Sequence, residues 1–393
     1  MRRAFLIFAG ISMLTALGCA GVGSTPDPSP SPSPTASPSP TPTGGSISHI
    51  IVVVMQNRSF DNLFGTYPGA EGIKPGVPGF SQVDANGKTV TPTLLTDIAV
   101  NDIPHVRQAQ LKVWDKGAMD KYAFFNGDVS MGHYDNTTAG VDTLWNWAQQ
   151  FALADHFFAS VMGDAPSNQL YLIAAADNHF PFTINPIDGP CTTPKTTTAP
   201  YKFQNVGNQL SAKGLSWAWY HEQLGVCGSY VPQENPFQFF MPATPSANMR
   251  DLGSFSSDLT SGQFPAVAFV QPNPDHSMHP NMGVPLTDGT TWLDNFIKEI
   301  QASPVYPNTA IVVIWDSSGG WYDHVPPPQT DPGQGLGMRV PMLVISPFAK
   351  KNYISHVQMD DVSILRFIQE TFGLSPLNAR NSQSNDLSDM FSF

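Results

Sequence analysis

Carboxylates, amides, imidazoles and hydroxyls that could do chemistry collect at the ends of apolar runs in this sequence. Thr309-Ala-Ile-Val-Val-Ile-Trp315 is β-branched and apolar, and it stops abruptly at Asp316, Ser317, Ser318, Gly319 and Gly320, with Asp323 and His324 close behind. His49-Ile-Ile-Val-Val-Val-Met55 repeats the design and delivers Gln56, Asn57 and Arg58. Apolar runs of this length and composition read as buried strands. In open α/β sheets, ligands bind where strands release their carboxyl ends. An unpaired carboxylate there is costly without a cation or donors, so Asp316 suits metal binding or acid/base work. The bland alternative is two ordinary core strands with polar turns.

Further polar groups sit in loops. Phe264 to Val270 reads as a third strand and opens onto a loop holding Asp275, His276 and His279. Ser167 or Asn168 is placed to cap a helix beginning at Leu170. The free N–H groups of such a helix start would seat a phosphate; a capping serine and nothing more is the other reading.

The elements that must position these groups alternate. Asp142 to Asp155 has helical spacing, Phe157 to Met162 reads as a short strand, Thr291 to Ala302 as a helix, Met342 to Ser346 as a strand and Ser363 to Phe372 as an amphipathic helix. Strand–helix alternation predicts an α/β fold with a parallel sheet covered on both faces. Residues 180–260, rich in Pro, Gly, Thr and Asn, read as an irregular insertion, a lid or pocket wall.

Residues 1–19 carry two arginines followed by roughly 15 apolar residues, which suits an export signal and is short for a membrane span. The residues before Cys19 resemble a bacterial lipobox, predicting a lipid-anchored chain; ordinary signal cleavage is the alternative. Residues 20–45 are dominated by Ser, Pro and Thr and read as an extended tether, leaving 46–393 as the globular domain. Cys191 and Cys227 then remain for a disulfide in an oxidising compartment, or as two free thiols. A net charge of -12 with 13% charged residues disfavours nucleic acid or an anionic membrane as a partner.

The blocks Asn57-Arg-Ser-Phe-Asp61, Phe151-Ala-Leu-Ala-Asp155, Asn168 with Leu170-Tyr171-Leu172, Gly319-Gly320 with Tyr322-Asp323-His324-Val325, and Arg339-Val340-Pro341 occur in order. On these the chain resembles the phosphoesterase family of phospholipases C and secreted acid phosphatases. The resemblance implies a three-layer, mostly parallel, alkaline-phosphatase-like sandwich that hydrolyses phosphate esters, small molecules or phospholipids, with one divalent metal ion. It implies metal-site positions at Gln56, Asn57, Asp316 and Ser317, phosphate-side histidines at His105 and His279, and an assisting His324. It departs from the family in Gln56, where Glu is usual, and in Ser317, where an acidic residue is usual. Gln233 and Glu234 stand where a His is usual. The nucleophile position falls on Ala165, so the nucleophile is expected at Ser167, with direct attack by a metal-bound water as the alternative. Losing two carboxylates weakens a hard-cation site, so a decayed binding protein on the same fold is the competing reading. A sulfate-ester hydrolase is a third.

Overall fold

The computed structural model describes residues 46–163, 165–179, 185–186, 191, 197–198, 200–240, 247–280, 283–328 and 335–393. The expected export signal and tether, residues 1–45, lie outside the described residues.

Eight strands form the central sheet: β1 (His49–Met55), β2 (Ala152–Ala154), β3 (Trp217–His221), β4 (Met249–Asp251), β5 (Val267–Gln271), β6 (Thr309–Trp315), β7 (Met342–Ile345) and β8 (Tyr353–Ser355). Their order across the sheet is β4-β3-β5-β1-β6-β7-β2-β8. The pairs from β4 to β6 are all parallel, whereas β7 runs antiparallel to both β6 and β2. The expected parallel sheet is therefore mixed at one strand.

Every residue of β6 is buried. Successive side chains of a strand point to opposite faces, so the sheet must be covered on both. The cover comes from α1 (Phe60–Phe64), α3 (Val141–Gln150), α4 (Ala165–Ala174), α5 (Val206–Ala212), α6 (Leu286–Ala302) and α7 (Asp361–Phe372), whereas α2 (Arg107–Trp114) packs in a separate small cluster. Helices α3 and α6 pack together, and α4 packs on α7 and α5, giving two groups with the sheet between them. Burying each large apolar side chain of such a strand stabilises by roughly 1.5–3 kcal/mol. That is why β1 and β6 can end in costly polar residues and still hold their positions.

Several boundaries differ from the sequence reading. The helix expected to run to Asp155 stops at Gln150, and Ala152–Ala154 pair as β2. Alanines and a leucine fit either state, and pairing with β7 decides. Helix α4 begins at Ala165, so Ser167 is inside it and not its cap. The stretch read as an irregular insertion contributes β3, β4 and α5 to the domain. Trp217, Trp219 and Phe237, within that stretch, are core residues: the Trp217 and Phe237 rings lie 4.5 Å apart and Trp219 stacks on Phe269 at 5.7 Å. Cys191 and Cys227 form a disulfide. No described helix is long and apolar enough to cross a membrane.

Candidate active site

Strand register brings the two polar clusters together. Met55 faces Trp315 in the β1–β6 pair, and the Asp316 amide donates to the Met55 carbonyl at 3.0 Å. Gln56, Asn57, Asp316 and Ser317 thus meet at the carboxyl edge of the sheet, although some 260 positions separate them in sequence. Ser317 Oγ donates to Asn57 Oδ1 at 2.6 Å. That bond steadies a residue in the left-handed region, φ 58°, which Asn tolerates better than most. Gly319 closes the junction: with φ +61°, it lies where a Cβ would sit 2.2 Å from the Asn57 carbonyl oxygen.

Asp316 is buried. Gln169 Nε2 on α4 donates to its Oδ2 at 3.2 Å, while its Oδ1 has no hydrogen-bond partner among the described residues. Burial first, and then the nearby Glu234 charge, raise its pKa well above the ordinary carboxylate range; the Gln169 amide and Asn57 backbone N–H pull the other way. A bare buried carboxylate oxygen is matched by a cation or by a proton. The donor set therefore fits a divalent cation at Asp316 beside Asn57.

Gln56 is placed differently from the sequence expectation. Its Nε2 donates to Glu234 Oε1 at 2.7 Å and its Oε1 accepts from Ser277 Oγ at 2.6 Å. Both ends of the amide are engaged in hydrogen bonds.

Ser167 is not brought to Asp316. Its hydroxyl donates to buried Asp177 Oδ2 at 3.1 Å. Gln169, two residues on, reaches Asp316, and residues two apart on a helix point in nearly opposite directions. Ala165, four residues before Gln169, shares its face.

The two loop histidines lie close enough to interact with each other, and His279 also feels Arg58. His279 follows Ser277, whose carbonyl receives the Gln56 amide at 2.8 Å, and Met278, whose carbonyl receives Arg58 Nε at 3.1 Å. His105 follows Pro104, whose carbonyl would lie 2.8 Å from a Cβ on Gly320. Each Nδ1 is bonded to a main-chain carbonyl, Ile103 at 2.6 Å for His105 and Pro280 at 2.8 Å for His279. A carbonyl only accepts, so Nδ1 carries the hydrogen and, in the neutral ring, Nε2 carries the lone pair. Burial lowers the His279 pKa, with the Asp102 charge opposing and His105 and Arg58 adding to the fall.

His324 belongs to a different cluster. Its Nδ1 bonds Asp61 Oδ2 at 2.7 Å, Arg339 Nη2 donates to Asp61 Oδ1 at 2.8 Å, and Arg339 Nε donates to Asp323 Oδ1 at 2.9 Å. The Asp61 amide fills Asp323 Oδ2. Asp61, Asp323 and His324 have metal-ligand spacing, but the Arg339 guanidinium already bridges both carboxylates and all four carboxylate oxygens have donors. This network, with Ser59 Oγ donating to the Tyr322 carbonyl at 2.7 Å, ties the loop after Asp316 to the loop after Asn57. His324 Nδ1 belongs to this network, while its buried Nε2 has no hydrogen-bond partner among the described residues.

Arg58, Gln169, His221 and Glu234 escaped the sequence reading as site residues. Arg58 was visible as a charge directly after a buried strand; its guanidinium lies 5.2 Å from the Trp321 ring centre. Glu234 was visible only as a departure where a His is usual, and Gln169 and His221 carried no motif signal.

The Phosphoesterase family is matched over residues 47–375. The chain is similar to phospholipase C B of Mycobacterium tuberculosis, 27% identical with 88% of this chain and 78% of that one covered. It is similar to the non-hemolytic phospholipase C of Pseudomonas aeruginosa, at 24% identity over 88% of this chain and 57% of that one. Among solved structures, a protein in the alkaline phosphatase superfamily from Vibrio parahaemolyticus shares 9% identity and a TM-score of 0.44, covering 88% of this chain and 71% of that one.

Proposed function

The chain belongs to the Phosphoesterase family, and from that premise we propose that it hydrolyses phosphate esters at the Asp316 pocket. The observation that carries the reading is the bare, buried Asp316 Oδ1 beside Asn57 at the carboxyl edge of the parallel strands. When bound there, a divalent cation supplies Lewis acidity toward a phosphoryl oxygen.

The chain's own groups do the rest. Asn57, pinned by Ser317, and Gln169 hold the Asp316 carboxylate in one orientation. His279 Nε2 takes a proton from a water whose oxygen bonds to phosphorus, as the bond from phosphorus to the ester oxygen breaks. The proton that His279 takes up passes through the neighbouring His105 Nε2 to the departing alkoxide oxygen, so the step needs no proton from outside. General acid–base groups of this kind contribute typically about 10²–10⁴-fold. Ser167 takes no part in the attack, because its hydroxyl is committed to Asp177 on the other side of α4.

Both phosphomonoesters and the phosphodiester headgroups of phospholipids offer the phosphoryl group that this arrangement addresses. The disulfide and the apolar first 19 residues support an exported protein. The test is hydrolysis of p-nitrophenyl phosphate and p-nitrophenylphosphorylcholine by the wild type, Asp316→Asn and Ser167→Ala. Loss of turnover in Asp316→Asn and its survival in Ser167→Ala is the expected pattern; an inert wild type leaves a binding protein on this fold.

A further inference from the structure

The large apolar side chains that this protein leaves in water are not scattered. Nine are exposed among the described residues, and seven of them fall between Val83 and Val129. Single exposed apolar residues need no explanation, whereas a cluster of them marks a contact surface. Beneath it lies a small core, with Val113, Met119, Tyr122 and Met131 among its members, distinct from the core of the central sheet. Phe124 and Phe125, on the short helix Tyr122–Asn126, are each 46% exposed, their rings 5.0 Å apart in an edge contact. Val83 lines one hollow with both rings. Lys112 of α2 holds its ammonium 5.5 Å from the Phe125 ring centre.

This apolar surface is tied to the Asp316 site. Gln110 on α2 donates to the His105 carbonyl at 2.6 Å and to the Gly163 carbonyl at 2.7 Å, just before α4. Asn126, directly after Phe125, donates to the Gly320 carbonyl at 3.0 Å, on the loop that follows Asp316. Val106, next to His105, is 50% exposed. Charge says what could cover the surface. Residues 80–131 carry five basic and six acidic side chains, so the segment holds -1 of the chain's -12. Lys88 pairs with Asp128 at 2.6 Å and Lys121 with Asp120 at 3.1 Å. Apolar rings and lysine stems with almost no net sign match a zwitterionic lipid layer: rings enter the acyl boundary and ammonium groups stay among the headgroups. A second copy of this chain fits less well, because stable protein interfaces are depleted of charge at their centre and here Lys112 lies against the Phe125 ring.

We propose that the segment 80–131 docks on the surface of a zwitterionic phospholipid layer, with Phe124 and Phe125 as its inserted side chains and Lys112 at headgroup level. The bonds from Gln110 and Asn126 then hold His105 and the loop after Asp316 close to that surface, where phosphodiester headgroups are dense. Roughly half of each ring is now in water, and moving that half into the acyl boundary raises partition by about 3–10-fold per ring. Docking of this strength is reversible and leaves the protein free to exchange between membrane and water. Use of the docking to reach a phospholipid rests on the hydrolase reading above; the docking itself does not.

The experiment mixes the full chain with phosphatidylcholine vesicles and reads the bound fraction by sedimentation. Wild type should sediment with the vesicles equally at about 0.1 M and about 1 M salt, because no net charge is being screened. The variant carrying both Phe124→Ser and Phe125→Ser should partition about 10–100-fold more weakly, while Val226→Ser, exposed outside the segment, should match wild type. Insertion is read locally with Phe125→Trp, whose added fluorescence should be quenched by phosphatidylcholine brominated on its acyl chains. A double variant that sediments like wild type, an equal loss in Val226→Ser, or an unquenched Phe125→Trp overturns the proposal. Binding confined to vesicles with anionic lipid overturns it too, as does a dimer that the double variant disperses while vesicles bind nothing. Should the double variant not fold, judged by its urea midpoint, Phe125→Trp decides alone. Vesicle binding as proposed with no hydrolysis of any phosphate ester defeats only the hydrolase reading. Hydrolysis of p-nitrophenylphosphorylcholine by a wild type that ignores vesicles defeats only the docking.

Discussion

Replacing Asp316 with Asn should have opposite effects on stability in the absence and presence of metal. In EDTA at pH 8 the wild type buries a carboxyl group whose Oδ1 lacks a donor among the described residues and whose Oδ2 takes a long side-chain bond, 3.2 Å, from Gln169. Leaving a buried polar group unsatisfied costs about 1–3 kcal/mol, and more for a charged one. Asp316→Asn keeps the shape and removes the charge, so the metal-free variant should be more stable than wild type by about 1–3 kcal/mol. With metal at about 100 times its dissociation constant, the wild type gains about 2.7 kcal/mol by mass action, while the variant, short of an anionic ligand, gains little. The order of stability then reverses or closes. Urea unfolding followed by the fluorescence of the buried Trp219 and Trp315 measures both arms. A metal-free variant less stable than wild type by more than about 1 kcal/mol would refute the reasoning, because it would mean that donors already satisfy the carboxylate.

Arg339→Met should destabilise by about 3–5 kcal/mol in urea, since it strands the Asp61 and Asp323 carboxylates in the core; a loss under about 1 kcal/mol would contradict the scaffold role. In EDTA, stability should fall as pH rises from about 4 to about 8. Burial raises Asp361 to about 8, Glu234 to about 7 and Asp323 to about 6, above the unfolded values of about 3.9 for Asp and 4.3 for Glu. Folding therefore takes up protons, and the stability these groups contribute is complete below about pH 4 and lost through the folded pKa values; urea midpoints at pH 5 and 8.5 check it, and a rising profile contradicts it. Reducing Cys191–Cys227, separated by 36 positions, should cost on the order of 4 kcal/mol by loop entropy, read as a drop in urea midpoint with dithiothreitol. His279→Ala should lower kcat on p-nitrophenyl esters by about 10²–10⁴-fold with an unchanged urea midpoint, and a loss under tenfold would remove it from proton transfer.

The chain's β-branched runs were enough to mark β1, β5, β6 and β7, because a strand buried on both faces needs near-continuous apolar residues. The same runs marked Asn57 and Asp316, since a polar residue at the end of such a strand stands out against it. The sequence also carried the pairing of Cys191 with Cys227. It misread Ala152–Ala154 as helix, and it hid β3 and β4 among prolines and glycines, because short strands draw their stability from neighbours and not from their own pattern.

Direction and partnership were decided by tertiary structure alone. The antiparallel course of β7 leaves no trace in Met342–Ile345, whose residues would suit either direction. Ser167 looked available until α4 started at Ala165 and turned the hydroxyl to Asp177, two residues out of phase with Gln169. Glu234 drew notice only as standing where a His is usual, His221 lies near no motif, and only the folding of Gln56 against a turn 178 positions away makes them a pair. Sequence patterns record which side chains must be buried. Which buried acceptor ends up facing which other is fixed by the packing of distant segments, and that is where this site's charge balance was set.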